Sequence, residues 1–71
     1  MTIEDLLKKT FEEMTFFKTD ESYYMCFNKA IYRFDTDNLS LNEIKFRLLT
    51  SLEIHILMEN KIEFEQIGGE E

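Results

Sequence analysis

Residues 22–35, SYYMCFNKAIYRFD, decide the fold. Two runs rich in aromatic and aliphatic residues flank Asn28-Lys29, the pattern of a β-hairpin. Pairing about that turn sets Phe27 opposite Ala30, Met25 opposite Tyr32 and Tyr23 opposite Phe34, all on one side. The other side carries Cys26 with Ile31, Tyr24 with Arg33 and Ser22 with Asp35. Asn-Lys is a weaker turn than Asn-Gly because lysine resists positive φ, yet the two-residue periodicity outweighs the turn. The aromatic parity assigns most of the rings to the core. Tyr24, Cys26 and Ile31 are then expected on the open sheet face, with Leu57 and Ile67.

Upstream, Thr2-Ile-Glu-Asp5 reads as a helix start, a threonine N-cap with an acid three residues on. Ile3, Leu6, Leu7, Phe11, Met14 and Phe17 follow at helical spacing, so one helix is expected to run to the Lys18–Ser22 stretch. Downstream, Ser40-Leu-Asn-Glu43 is a capping box opening a helix on Leu41, Ile44, Leu48, Leu49 and Leu52. Its end is ambiguous. Residues 53–58 alternate as a strand, with Ile54, Ile56 and Met58 on one side, and Thr50-Ser51 weakens a continuous helix. Residues 62–67 alternate more clearly, and a loop at 59–61 would pair Ile56 with Phe64 and His55 with Glu65. The expectation is an α+β fold of order αββαββ, or αββαβ with a long second helix. Either order places two helices on one face of a small antiparallel sheet.

The 71 residues make one domain spanning 1–71, with 67–71 as a frayed acidic tail. Hydrophobic residues are 44% of the chain and aromatics 14%, enough large rings to build a core rather than a disordered tail. Cys26 is alone, which removes any internal disulfide. The start, MTIEDLLKK, lacks the basic and long apolar regions of a signal peptide, and no apolar run reaches about 18 residues. A cytoplasmic protein is expected. Proline is absent and Lys, Asn, Ile and Phe are plentiful, a composition that fits an AT-rich genome.

Several chemistries are excluded. The net charge of −7 repels nucleic acid and anionic membrane, so direct binding to either is not expected. Aromatic strands such as Tyr23, Tyr24, Phe27, Tyr32 and Phe34 can stack single-stranded RNA, but those platforms sit in basic grooves. Cys26 and His55 are the sole candidates for a nucleophile and its base, and nothing supplies a third group, so no enzyme is expected. One Cys and one His cannot form a structural zinc site. Asp35-Thr-Asp37-Asn opens like a calcium loop, but Ser40 and Phe46 stand where glycine and glutamate are needed. No glycine-rich phosphate cradle exists. No metal or cofactor is expected.

What remains is the acidity. Six glutamates and one lysine follow Leu52, against nine acids and seven bases before Glu53. On a strand, Glu63 and Glu65 would share one face at about 6.7 Å spacing. With Glu53, Asp35 and Asp37 they could present negative charge as a phosphate backbone does, while Tyr24, Ile31 and Leu57 add an apolar anchor. The expectation is a non-catalytic protein-binding module, an inhibitor of phage or mobile-element type that occupies a basic, nucleic-acid-binding surface of a target. The alternative is a homodimer pairing through its open sheet face or an edge strand, with the acids serving solubility.

Overall fold

A computed structural model describes residues 1–35 and 45–69. The α+β class holds: the described residues form two helices and a five-stranded antiparallel sheet. The elements are α1 (Ile3–Leu7), β1 (Phe11–Lys18), β2 (Tyr23–Asn28), β3 (Ala30–Phe34), β4 (Arg47–Leu48), α2 (Ser51–Glu59) and β5 (Glu65–Gly68). The sheet order is β4-β3-β2-β1-β5. The Ser40–Glu43 capping box, Leu41, Ile44 and Asp37 lie outside the described residues.

The hairpin register is as expected: Tyr23 pairs with Phe34, Tyr24 with Arg33, Met25 with Tyr32, Cys26 with Ile31 and Phe27 with Ala30. Asn28 alone takes the left-handed conformation in this turn, φ 58°, which an asparagine tolerates, so Lys29 is spared it. The assignment of faces is reversed. Tyr24, Cys26 and Ile31 are buried beneath the helices, in one cluster with Ile3, Leu6, Phe11, Phe17, Leu49 and Phe64. Parity establishes which residues share a side. It does not establish which side the helices cover when both sides are apolar.

The first helix is short. Thr2 caps it as expected, its backbone N–H donating to the Asp5 carboxylate at 2.8 Å, but it ends at Leu7. Phe11–Lys18 is a strand instead, pairing with β2 on one side and β5 on the other. A bulge explains the helical spacing. Phe11 faces Asn28 while Thr15 faces Cys26, so four steps along β1 match two along β2. Phe11, Thr15 and Phe17 all point into the core, with the Phe11 and Phe17 rings edge to face at 5.8 Å. Removing Phe17 would cost about 3–5 kcal/mol, comparable with the whole stability of so small a core.

Residues 53–58 form part of a helix and not a strand. Thr50 is its N-cap: the Thr50 hydroxyl accepts from Glu53 N at 3.2 Å, and the Glu53 carboxylate accepts from Thr50 N at 3.1 Å. This reciprocal box satisfies two backbone donors that a strand would leave to another partner. Leu48 lies in β4, not in a helix, and the expected cross-strand pairs His55–Glu65 and Ile56–Phe64 do not form. At the other end, Ile62 N donates to Leu57 O and Lys61 N to Met58 O, a Schellman closure with Lys61 at φ 50°.

Only Ile54 and Leu57 of α2 pack against the core; Leu52 is 67% and Ile56 47% exposed. The opposite sheet face carries a second aromatic group: Phe34 contacts Phe16, Tyr23 and Phe46 at centroid distances of 6.0, 5.8 and 5.2 Å. Tyr23, Phe27, Phe46 and Leu48 are exposed there. No helix among the described residues is long and apolar enough to cross a membrane.

Candidate functional site

The β1–β2 turn, Thr19–Ser22, is held by its own hydrogen bonds. Thr19 N donates to Ser22 O at 2.9 Å, and Ser22 N donates to the Thr19 hydroxyl at 3.2 Å. This fixes the acidic pair Asp20-Glu21 beside the chain leaving α2. Between the turn and α2 lies a groove of about 480 Å³. Tyr24, Leu49, Ile56, Leu57 and Ile62 supply its apolar surface; Asp20, Glu21, Glu53, Glu63, Arg33 and Lys61 supply its charges. A shallower cavity on the other side of the turn is lined by Lys18, Asp20, Tyr23, Glu63 and Glu65. Asp20, Glu21, Glu63 and Glu65 therefore gather around one end of the sheet.

Four of the residues singled out from the sequence line the groove: Glu53, Glu63, Tyr24 and Leu57. Glu65 lines the neighbouring cavity, and Asp35 is exposed elsewhere, after β3. Ile31 is core, so it cannot serve as an exposed anchor. Tyr24 is also buried, at 4% exposure, its ring edge to face with Phe64 at 5.0 Å. Its hydroxyl is different. None of the hydrogen bonds of the described residues engages it, and no side-chain polar atom among them is both sealed from solvent and unpaired, so the hydroxyl opens on the groove.

The carboxylates are not equivalent. Glu53 is consumed by the protein itself. Arg47 grips it with both guanidinium nitrogens at 2.6 and 2.9 Å, Arg33 stands at 3.8 Å, and Thr50 adds the cap bonds. The Arg47 hydrogen bonds, and then the Thr50 N–H, pull the Glu53 carboxyl down to about 2. It is 23% exposed, which removes it from the expected docking array. Glu63 pairs with the Met1 amino group at 2.7 Å and Glu65 with Lys18 at 3.4 Å, but both side chains stay largely exposed. Such pairs are weak and exchange readily with an incoming cation. Asp20 and Glu21 have no ion pair among the described residues. The sequence reading missed these two by placing them at a helix end; their signal was a polar run between two β-forming segments.

The reactive side chains are apart from this site in character. Cys26 is fully buried, and burial pushes its thiol up to about 12, so it is not a nucleophile at neutral pH. His55 pairs with Glu59 one turn on at 3.0 Å. Among the described residues no cluster of three or more His, Cys, Asp or Glu could hold a metal ion. Comparisons of the chain with protein-family models, curated proteins and solved structures return no match.

Proposed function

We propose that this chain is a non-catalytic protein-binding module whose target presents a basic surface, of the kind that otherwise holds nucleic acid. The observation that carries the reading is the groove: the exposed Ile56 and half-buried Leu57 of α2 beside Asp20 and Glu21, which have no ion pair among the described residues. Exposed aliphatic groups on a small helix are costly unless something covers them, and a charged rim excludes most neutral partners. The acids Asp20, Glu21, Glu63 and Glu65 would steer a cationic protein and compete with phosphates for its Lys and Arg side chains. Inhibition of a nucleic-acid-binding protein is the natural outcome of such competition.

The test is the salt dependence of binding to a captured basic nucleic-acid-binding partner. Affinity should fall steeply from about 50 to about 500 mM salt, and the variant Asp20→Asn/Glu21→Gln/Glu63→Gln should bind more weakly and with a shallower slope. Binding that ignores both salt and substitution would overturn the reading. A second reading is favoured by Tyr23, Phe27, Phe46 and Leu48, exposed together on the sheet face away from the helices. In that reading two copies pair through this face and the acids keep the dimer soluble. Sedimentation separates them: a monomer at every concentration, gaining mass only with a basic partner, removes the dimer.

A further inference from the structure

We infer that the groove between α2 and the Thr19–Ser22 turn is a receptor for one arginine side chain of the partner, with the solvent-accessible Tyr24 hydroxyl as one acceptor. The inference rests on the protein-binding reading above and goes further, to the group that is recognised. An arginine has an apolar stem and a planar head with five N–H donors. The groove has the matching parts. Ile56, Leu57 and Ile62 offer the stem an aliphatic surface. Tyr24 lines the same groove and is 4% exposed, and its hydroxyl makes no hydrogen bond among the described residues. Asp20 and Glu21 also line the groove and have no ion pair among the described residues.

The set of acceptors favours arginine over lysine, and the unpaired acids disfavour an anion. Several separate acceptors, the Tyr24 hydroxyl and the Asp20 and Glu21 carboxylates, suit a flat fork with five donors better than a point charge. The cations already lining the groove are unequal: Arg33 is drawn to Glu53 at 3.8 Å, whereas Lys61 has no ion pair among the described residues. Lys61 therefore opposes an incoming guanidinium, and its removal should strengthen binding. An anion would meet Asp20 and Glu21 instead and is disfavoured by the same charges.

The experiment is a two-dimensional NMR titration of the full chain with three small probes: acetyl-leucyl-arginine amide, its lysine analogue and its neutral citrulline analogue. The arginine probe should shift the amides of Tyr24, Ile56, Leu57 and Ile62 with millimolar affinity, the lysine probe more weakly, and the citrulline probe scarcely at all. Tyr24→Phe, which keeps the ring, should weaken arginine binding about three- to tenfold. Lys61→Gln should tighten it. Thermal melts of each variant confirm that the fold is kept. Equal binding of the lysine probe, an unchanged affinity in Tyr24→Phe, or shifts confined to other surfaces would overturn the arginine receptor. If the salt-dependent partner binding persists in that case, the broader function stands and only the recognised group is wrong.

Discussion

Glu53→Gln tests how one carboxylate organises the β3–β4–α2 corner. The substitution keeps the side chain's shape and removes its charge. In the native chain Glu53 neutralises two arginines that sit directly opposite each other, Arg33 and Arg47, on adjacent antiparallel strands. Losing the bidentate Arg47 pair, half exposed on the arginine side, removes a solvent-screened ion pair, a modest loss. The more distant Arg33 contact adds a few tenths, and the uncovered repulsion between facing arginines roughly another 0.5 kcal/mol. A weaker cap on Thr50 brings the total to about 1–2 kcal/mol. For a domain of this size that is a drop of about 5–15 °C in Tm, read by thermal denaturation at pH 7.

The pH dependence gives a sharper readout. The Glu53 carboxyl is held at about 2 against an ordinary 4.5. Its contribution is therefore complete above the ordinary carboxylate range and disappears as pH falls from about 4.5 through about 2. The wild-type advantage over Glu53→Gln should be full at pH 7 and largely lost by about pH 2, where the carboxyl is half protonated. Arg47→Gln should not add its own cost to that of Glu53→Gln, so the two substitutions are non-additive in the double-mutant cycle. A Glu53→Gln variant within about 0.3 kcal/mol of wild type at pH 7, or a difference that persists unchanged at pH 2, would refute the reasoning.

Two other perturbations follow from single positions. Gly69 has φ 97°, and a Cβ there would lie 2.5 Å from the Met14 carbonyl oxygen and the Thr15 Cα. Gly69→Ala should destabilise the chain by about 1–2 kcal/mol and speed amide exchange in β5; an unaltered melt would remove the close approach as its cause. Cys26, sealed in the core with its thiol at about 12, should resist a thiol-specific disulfide reagent at pH 8 until urea unfolds the chain. Rapid stoichiometric labelling of the native protein would contradict its burial.

Much of the architecture is legible in the residues, and the failures have physical causes. The hairpin register can be read because its turn is short and both strands alternate without interruption. β1 cannot be read the same way. Its bulge puts Phe11 and Thr15 on one face four residues apart, a spacing that a helix also produces. α2 resembles a strand because polar and apolar residues alternate over 53–56 and Leu52 and Ile56 are left in solvent, so no clean stripe marks its helical period. Its decisive signal was Thr50-x-x-Glu53, a capping box that counts as a start rather than an interruption. The site was half legible. Glu63 and Leu57 could be chosen for charge and apolarity, but Glu53's engagement by Arg47 is a tertiary fact, and Asp20-Glu21 gains meaning only once β1 exists to form a turn.

The position of β5 has a kinetic consequence. It pairs with β1 across some fifty intervening residues, and the same end of the chain is tied back by Phe64 N donating to Met1 O at 2.6 Å. The β1–β2–β3 meander joins neighbours in sequence and can assemble early, whereas docking of residues 64–68 must wait for a long loop to close. Substitutions in this last strand should accelerate unfolding while leaving the refolding rate nearly constant. Until residues 64–68 dock, the Tyr24 ring lacks Phe64 and the adjoining Ile62 and Glu63 of the groove are not anchored, so competence to bind would mature at the final stage of folding.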